Sequence, residues 1–353
     1  MLKLEKNLIL VTLISFIGTI FFIDGYLLNQ LITSQKFIET APAQISKNLI
    51  KEEETNPITL ILVGDIMLNR GVEYIIQKEG RPTGPASGYP GYPDFRFPFL
   101  KIADDLKGAE LLFGNLEGPI SDKGNKVGSI YSFRNNPKVI EGLKFAGFNV
   151  ISLANNHAFD YGREALEDTL LRLKDANIDY IGAGFDESEA YSPILKEIKD
   201  TKIAFLAYTN LGPENWKATG NNSGIAWISE DNFEKIREEI KKAKENCDIL
   251  IISLHAGEEY QTAPTQFQID FAKMAIDSGA DIVIGHHPHV VQSNEVYNGG
   301  YIFYSMGNFV FDQDFSEETM KGEIVKVLIE NDRIKEVIPK EIKINEFFQP
   351  EIK

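Results

Sequence analysis

Residues 279–289, Gly-Ala-Asp-Ile-Val-Ile-Gly-His-His-Pro-His, decide both the fold and the chemistry of this chain. The run at 281–284 predicts a short buried β-strand that ends at Gly285. Three of the five histidines in the sequence follow directly. Core packing seldom requires two histidines separated by one residue after a glycine turn. Such a pair is typical of metal ligands. The stretch therefore predicts a strand that delivers His287 and His289 to a metal site.

Four other apolar runs end in polar residues in the same way. The runs at 58–63, 110–113, 149–153 and 249–253 each predict a strand, and an acid, an amide or a histidine follows each one. In α/β proteins, ligands bind beyond the carboxyl ends of the strands, where loops from different strands meet. The residues placed there are Asp65, Asn115, Glu117, Asn156, His157, His255, His287 and His289. Carboxylates and imidazoles together suit zinc, manganese or iron better than magnesium.

Each of these residues also has a simpler interpretation when it is taken alone. Asp65 stands where a helix cap is common, and Asn156 is an ordinary turn residue. A single His255 is more often buried and hydrogen-bonded than bound to a metal. The combined pattern favours a metal site, because all five histidines of a 353-residue chain fall in three short segments at strand ends.

Helical and hairpin patterns between these strands predict a mixed α/β fold. Helices are expected at 163–174, 231–244 and 266–278, and hairpins at 295–304 and 323–338. Strands alternate with helices through the first two thirds of the chain, which predicts central β layers flanked by helices. We expect one domain over 57–345, followed by a short C-terminal tail at 346–353.

The N-terminus carries a separate hydrophobic segment. Residues 7–23 contain no charged side chain, and Lys3 and Lys6 precede them. A run of this length approaches the thickness of a bilayer core, and the positive-inside rule places the following chain outside the cytoplasm. We expect a single-pass anchor at 1–28 and a polar linker at 29–56, with the C-terminal domain extracytoplasmic at the cell membrane. A cleaved signal peptide and a buried helix are the alternatives.

Composition excludes two classes of protein. A net charge of −16 argues against a nucleic-acid binder, which needs a basic face to displace counterions. A single cysteine excludes a disulfide framework and a multi-thiolate metal site. The segments 1–23 and 24–56 carry charges of +1 and −2, which leaves −15 on residues 57–353. The domain that holds the predicted site is therefore acidic.

The order of these motifs resembles the calcineurin-like metallophosphoesterases, and more closely the CapA family of poly-γ-glutamate capsule biosynthesis proteins. The segments that carry the resemblance are 63–71 (VGDIMLNRG), 114–119 (GNLEGP), 153–162 (LANNHAFDYG), 255–260 (HAGEEY), 279–292 (GADIVIGHHPHVVQ) and 304–312 (YSMGNFVFD). Together they extend over residues 58–313. The resemblance implies a metallophosphatase-like four-layer α-β-β-α sandwich, preceded by one N-terminal transmembrane helix.

The resemblance also implies which residues bind metal and which do chemistry. The implied ligands are Asp65, Glu117 and His289 for one ion, and Asn156, His255 and His287 for the other. By the same resemblance, His157 would hydrogen-bond the developing charge or protonate the leaving group.

Three positions depart from the metallophosphoesterase pattern. Met67 stands where the first motif usually has a histidine, and a thioether is a poor ligand for a hard dication. Asn115 and Glu117 replace the usual aspartate of the second motif, so either residue is a candidate ligand. Ala256 stands where a tryptophan usually follows the lone histidine. We therefore expect one or two divalent ions of manganese, zinc or iron.

Four further residues are candidates for catalysis or substrate binding. Arg70 suits a clamp on a carboxylate or a phosphate, with a surface salt bridge as the alternative. Asn308 is a second candidate for substrate contact. Glu259 suits a general base or a partner of a ligating histidine, and Asp160 suits an orienting partner of His157.

The resemblance implies a role in the synthesis, export or processing of poly-γ-glutamate or a similar anionic polymer, through a metal-dependent hydrolase or transferase site. The expected partners are the polymer, the membrane and other polymer-synthase subunits, with no nucleic acid. Two other functions stay open. One is a secreted metal-dependent phosphoesterase, against which Met67 counts. The other is a non-catalytic assembly subunit of the synthase complex.

Overall fold

Strands and helices follow the apolar runs of the sequence in the computed structural model, which describes residues 57–80, 93–127 and 130–353. The strands are β1 (Ile58–Ile66), β2 (Leu111–Leu116), β3 (Val150–Ser152), β4 (Asp179–Ile181), β5 (Ala183–Gly184), β6 (Ile194–Ile198), β7 (Thr201–Thr209), β8 (Gly224–Ile225), β9 (Ile249–His255), β10 (Ile282–His286), β11 (Asn294–Tyr297), β12 (Gly300–Phe303), β13 (Asn308–Val310), β14 (Lys321–Glu330), β15 (Arg333–Ile344) and β16 (Pro350–Ile352). The helices are α1 (Arg70–Lys78), α2 (Ala103–Leu106), α3 (Val139–Ala146), α4 (Gly162–Asp175), α5 (Glu187–Tyr191), α6 (Phe233–Lys244) and α7 (Gln266–Asp277).

The predicted N-terminal segments, the anchor at 1–28 and the linker at 29–56, lie outside the described residues. Within the ranges that are described, none of the helices combines the length and the apolar character needed to cross a bilayer.

Two larger sheets bring the strand ends of the sequence motifs together. The first sheet has the order β16-β15-β14-β1-β2-β3-β4, and β13 also pairs with β1. The second has the order β11-β12-β10-β9-β7-β6. Neighbouring strands from β1 to β4 are parallel, and so are those of the β7-β9-β10-β12 group. Because parallel strands end at the same edge of a sheet, the polar residues after β1, β2, β9 and β10 are delivered to one region.

Alternating side chains on each strand build three apolar layers. Leu60 and Leu62 of β1 pack into a core shared with the second sheet, where Phe113 stacks on Phe205 at 5.8 Å between ring centroids. Val63, on the other face of β1, packs with α1, α3 and α4. A third cluster packs β7, β9 and β10 against α6 and α7. The described residues are thus layered as helices, sheet, sheet and helices, and each fully buried Leu or Phe side chain contributes about 1.5–3 kcal/mol.

The C-terminal residues differ from the sequence prediction. Residues 346–353 are predicted to be a tail, but they contain β16, which pairs antiparallel with β15 from Ile342↔Ile352 to Ile344↔Pro350. A three-residue strand has too few residues to show an alternating pattern, so its pairing partner defines it rather than its sequence.

Candidate metal centre

The register of the sheets places the polar strand ends beside one another. Asp65 on β1 lies opposite Asn115 of β2 and opposite Asn308 of β13. His286 at the end of β10 lies opposite His255 at the end of β9. All five side chains are fully buried. Burying so many polar groups is costly unless they bind one another or a ligand, so their convergence indicates a built site.

A close approach between two backbones sets the position of Asp65. The backbone N–H of Asp65 donates to the Gly307 carbonyl at 3.0 Å. A Cβ atom on the preceding Gly64 would lie 2.1 Å from the same oxygen, so a side chain at that position cannot fit. The Gly-Asp motif at the end of β1 is therefore a packing requirement that brings Asp65 against β13.

The His-x-His turn is held in a strained conformation. His287 and His289 have φ angles of 96° and 57°, a region that non-glycine residues seldom occupy. The turn is tied down on both sides, because the His287 N–H donates to Asp65 Oδ2 at 3.1 Å and the Pro288 carbonyl accepts from the Tyr260 N–H at 2.8 Å. Strain of about 1–3 kcal/mol per residue is typical of functional sites.

The first convergent set comprises Asp65, Glu117 and His255, whose ligand atoms all lie within 4.8 Å of one another. Asn115 organises this set, since its Nδ2 donates to Asp65 Oδ1 at 2.9 Å and to Glu117 Oε1 at 3.0 Å. Asn155 in turn donates to Asn115 Oδ1 at 3.1 Å. Of the two residues that the sequence left open, Glu117 supplies the acid, and Asn115 orients it.

The second convergent set comprises Glu259, His287 and His289, again with ligand atoms within 4.8 Å. The two histidines are buried, while Glu259 is exposed toward a cleft. This grouping differs from the one that the family resemblance implies, because it adds Glu259 and places His255 with Asp65. Either set supplies the mixture of imidazole and carboxylate that transition metals favour.

Two further pairs border these sets. His255 Nε2 and Asn156 Oδ1 are 2.8 Å apart, a separation that two ligands of one ion also adopt. His157 Nδ1 donates to Asp160 Oδ2 at 2.7 Å, and the Phe133 N–H donates to the same oxygen at 2.7 Å. Asp160 therefore orients His157, whose Nε2 lies 3.9 Å from Glu117 Oε2.

The electrostatics of the site favour the metal-binding protonation state of Asp65, His255 and His287, and oppose it for Glu117. Burial acts to raise the pKa of Asp65, but hydrogen bonds and charge from His286 and His289 outweigh it and hold the pKa well below its usual value. Burial and the charge of Asp65 raise the pKa of Glu117 well above its usual value. Burial also lowers the pKa of His255, and it lowers that of His287 to about 3. Both imidazoles are therefore neutral, which is the protonation state of a metal ligand.

Two orphaned atoms show that the residues present fit a cation. Glu117 Oε2 and His287 Nδ1 are buried without a hydrogen-bond partner among the described residues. Such atoms cost free energy unless something binds them. A carboxylate oxygen and a nitrogen of a neutral imidazole, both buried without a partner, fit a divalent ion of the zinc, manganese or iron type.

Asn308 fixes the tautomer of His289. Its Nδ2 donates to the Thr319 carbonyl and to Gln313 Oε1, both at 3.0 Å. A carbonyl can only accept, so the amide nitrogen must face Thr319 and the amide oxygen must face His289. His289 Nδ1 therefore carries the proton and donates to Asn308 Oδ1 at 3.0 Å, which leaves the Nε2 lone pair free for a metal.

The prediction that Asn308 contacts substrate is therefore wrong. Its side chain is fully buried and all its polar atoms have protein partners. It lies beneath the site and positions His289.

A cleft of about 620 Å³ opens above the site. The described side chains that line it are Arg70, Tyr131, Phe133, Asn156, His157, Glu259, Tyr260, His289, Asp312, Gln313 and Phe315. Arg70 does not offer the bidentate grip that the sequence predicted for a substrate. Its Nε donates to Asp312 Oδ2 at 3.2 Å and its Nη2 pairs with Asp312 Oδ1, so the guanidinium already clamps an internal carboxylate.

Comparison with known proteins identifies the family to which this chain belongs. The model of the bacterial capsule synthesis protein family PGA_cap matches residues 59–313, which include the strand ends described above. The chain belongs to this family. The resemblance to CapA proteins that the motifs indicated is thereby confirmed.

Two relatives of this chain carry names that agree with the family. The chain is 34% identical over 275 residues to the capsule biosynthesis protein CapA of Bacillus anthracis, an alignment that covers 76% of this chain and 63% of that protein. It is 32% identical over 270 residues to the PGA biosynthesis protein CapA of Bacillus subtilis, covering 76% and 67%. The chain thus spans under two thirds of the Bacillus anthracis relative. Among solved structures, a phosphatase from Mycoplasma pneumoniae aligns over 82% of this chain and 94% of its own, with a TM-score of 0.49 and 18% identity.

Three residues at this site are not apparent from sequence. The sequence placed His286 beside the ligands without a role, but its Nδ1 donates to Asp65 Oδ1 at 3.0 Å. The sequence indicates no separate role for Asn155, which directly precedes Asn156. It likewise indicates none for Tyr260, which directly follows Glu259. Adjacency to motif residues was the available signal for all three.

Proposed function

We propose that this chain is a membrane-anchored, extracytoplasmic capsule synthesis protein that acts on poly-γ-glutamate or a similar anionic polymer during its synthesis, export or processing. The observation that carries the proposal is the convergence of neutral imidazoles and buried carboxylates, with orphaned Glu117 Oε2 and His287 Nδ1, in a chain of this family. The membrane location rests on the sequence pattern at 1–28.

The proposed chemistry is metal-dependent hydrolysis or group transfer. A divalent ion, when bound, supplies a Lewis acid that polarises a phosphoryl or carbonyl oxygen and lowers the pKa of water. Asp65, Glu117 and His255 would hold one ion, and the set of His287, His289 and Glu259 would hold another. Asn156 lies at Nε2 of His255, whereas Glu117 lies at Nδ1, so Asn156 would reach an ion only on the Nε2 side of that ring. His157 has its proton-bearing Nδ1 fixed by Asp160, so its Nε2 is free to accept a proton or, when protonated, to donate one at the cleft.

Metal analysis tests the site directly. The full-length chain is loaded with Mn²⁺, dialysed and analysed for metal, beside a His287→Ala/His289→Ala variant. We expect the wild type to keep one or two ions per chain and the variant to lose at least one of them. Glu259→Ala is compared with Glu258→Ala, because Glu258 is exposed one residue away and lies outside both sets. Equal metal content in the wild type and the double histidine variant would contradict the assignment.

Complementation tests the biological role. An Asn156→Ala/His157→Ala variant is expressed in a polymer-producing bacterium whose own family member has been deleted. We expect the wild-type chain to restore polymer and the variant to fail at equal protein level, because both substitutions disable the site. Full restoration by the variant would instead favour a non-catalytic assembly role.

A further inference from the structure

Exposed aromatic side chains are concentrated at the mouth of the cleft. Six aromatic residues are largely exposed among the described residues, and three of these six, Tyr131, Tyr260 and Phe315, line this one cleft. Their exposed fractions are 62%, 42% and 64%. Single exposed aromatics are normal, but a cluster at the rim of a polar site is typical of a ligand-binding surface.

The aromatic surface begins directly at the metal-ligating histidines. The ring of Tyr260 lies 6.2 Å from that of His289, and Phe315 meets Tyr260 edge to face at 5.1 Å between centroids. A ligand held at the metal centre would therefore have the ring of Tyr260 beside it, with Phe315 next to Tyr260.

The position of Tyr260 is fixed by the backbone as well as by its hydroxyl. Its φ of 63° is rare for an aromatic residue, and its N–H donates to the Pro288 carbonyl at 2.8 Å. Its hydroxyl accepts from Gln313 Nε2 at 3.2 Å, and Gln313 also holds Asn308. A strained and tethered aromatic residue that is nevertheless exposed indicates a pre-organised contact surface.

A fourth aromatic residue of the cleft lining, Phe133, is only 3% exposed and adds little contact surface, because neighbouring side chains cover its ring. Phe133 packs against His157 at 4.1 Å between ring centroids, and the Arg70 guanidinium lies 4.6 Å above the Phe133 ring. Since Asp312 neutralises Arg70, the side chains of the cleft offer rings rather than a row of cationic groups. This composition suits a flat or ring-shaped body better than a succession of carboxylates.

We infer that Tyr260 and Phe315, with Tyr131 beside them, form a subsite for a ring-bearing group of a substrate whose anionic group is held at the metal centre. The inference rests on the proposed function, because it needs the metal to hold the anion. A linear γ-glutamyl chain has no ring, so the ring belongs to a group joined to the polymer rather than to its repeating unit.

Two phosphonates that resist hydrolysis test the subsite without requiring turnover. Phenylphosphonate and methylphosphonate are titrated into the Mn²⁺-loaded full-length chain by calorimetry, after metal content is measured on the same samples. We expect phenylphosphonate to bind at least 5-fold more tightly. Phe315→Ala should remove most of that advantage and leave the affinity for methylphosphonate within 2-fold of the wild type. Phe315→Leu should restore only part of it, because leucine supplies apolar area without a ring.

The matched control is Phe145→Ala, which removes an exposed aromatic side chain remote from the cleft and should change neither affinity. Equal binding of the two phosphonates, or an equal loss in Phe145→Ala, would overturn the subsite and leave the metal centre standing. Retained metal with no binding of either phosphonate would overturn the subsite together with anion binding by the metal. A chain that retains no metal would overturn the proposed function and the subsite with it.

Discussion

Replacing Asn308 with leucine should weaken metal binding by releasing the ring of His289. In the wild type, the amide oxygen of Asn308 accepts a hydrogen bond from the Nδ1–H of His289. Nε2 is then the ring nitrogen that is free to bind a metal. Leucine fills a similar volume but cannot accept a hydrogen bond from His289. His289 would then populate both tautomers and both ring orientations, of which only some present a lone pair to the metal.

The magnitude follows from the contacts that are lost. Removal of a hydrogen-bonding partner of a ligating histidine typically costs 10–100-fold in metal affinity. The same substitution orphans the Thr319 carbonyl and Gln313 Oε1, both of which accept from the Asn308 amide at 3.0 Å. Each orphaned buried acceptor costs about 1–3 kcal/mol, so the two together should lower the unfolding free energy of the metal-free protein by about 2–6 kcal/mol.

Asn308→Asp separates these two effects. Aspartate keeps an oxygen that accepts from His289 Nδ1, but it has no donor for the Thr319 carbonyl. We therefore expect a loss of stability similar to that of the leucine variant, together with metal affinity at or above the wild-type value. A carboxylate beside a ligating imidazole raises the basicity of the ligand and attracts the cation.

The assay combines chelator competition for Mn²⁺ with urea unfolding of the metal-free protein, and ¹⁵N NMR reports the His289 tautomer. The tautomer argument is refuted if Asn308→Leu binds Mn²⁺ within 2-fold of the wild type, or if the wild-type metal-free protein shows Nδ1 unprotonated. Equal loss of metal affinity in the leucine and aspartate variants would also refute it, because stability alone would then explain both.

Three further predictions concern stability. Asp168→Asn should cost about 1–2 kcal/mol at pH 7, because the Asp168 carboxylate accepts from Ser121 and Arg172 at 2.7 and 2.8 Å. Burial acts to raise the pKa of Asp168, but hydrogen bonds from Ser121, Lys123 and Arg172 outweigh it and lower the pKa. The contribution of Asp168 is therefore present above the unfolded pKa and is lost as pH falls through the folded one, so in urea titrations at decreasing pH the two proteins should begin to converge only below the ordinary pKa of 3.8, while the exposed Asp105→Asn changes little. Gly64→Ala should cost more unfolding free energy than Gly108→Ala in the same titration, because a Cβ at Gly64 would lie 2.1 Å from a carbonyl oxygen. At Gly108 a Cβ meets nothing within 4 Å, and alanine there bears only the backbone strain of a φ of 84°, about 1–2 kcal/mol. Mn²⁺ at 100 times its Kd should raise the unfolding free energy by about 2.7 kcal/mol for each occupied site; EDTA should abolish the effect, and His287→Ala/His289→Ala should lose the contribution of its own site.

The strands and the converging polar residues could be predicted because both depend on local sequence. A buried parallel strand needs a continuous apolar run, and such runs at 58–63 and 249–253 fall within β1 and β9. Histidine is scarce in the chain, and its positions at strand ends therefore indicated a metal site, which the number of histidines alone does not. The same reasoning identified Glu117 and His287 as candidate ligands without any knowledge of the structure.

The corrected predictions all depend on partners that are remote in sequence. Arg70 was expected to bind substrate, but its carboxylate partner lies 242 residues away at Asp312. Asn308 was expected at the surface of the site, but β13 pairs parallel with β1 and buries it behind Asp65. No local pattern encodes such a pairing, because the same Gly-Asn sequence is compatible with a turn, a cap or a strand.

Under the proposed function, the charge of the cleft makes a metal ion necessary for anion binding as well as for chemistry. Residues 57–353 carry a net charge of −15, and Arg70, the one basic side chain among the described residues that line the cleft, is paired with Asp312. At physiological ionic strength, charges more than about 8 Å apart are largely screened, so the acidic surface does not exclude an anionic polymer from the vicinity. Within the cleft, however, Glu259 repels an anion at short range. A divalent ion beside His287 and His289 would supply the positive charge that makes the electrostatic potential there attractive to an anion. Ligand affinity and metal occupancy should therefore be coupled: an anion strengthens the retention of the metal by the same factor by which the metal strengthens the binding of the anion.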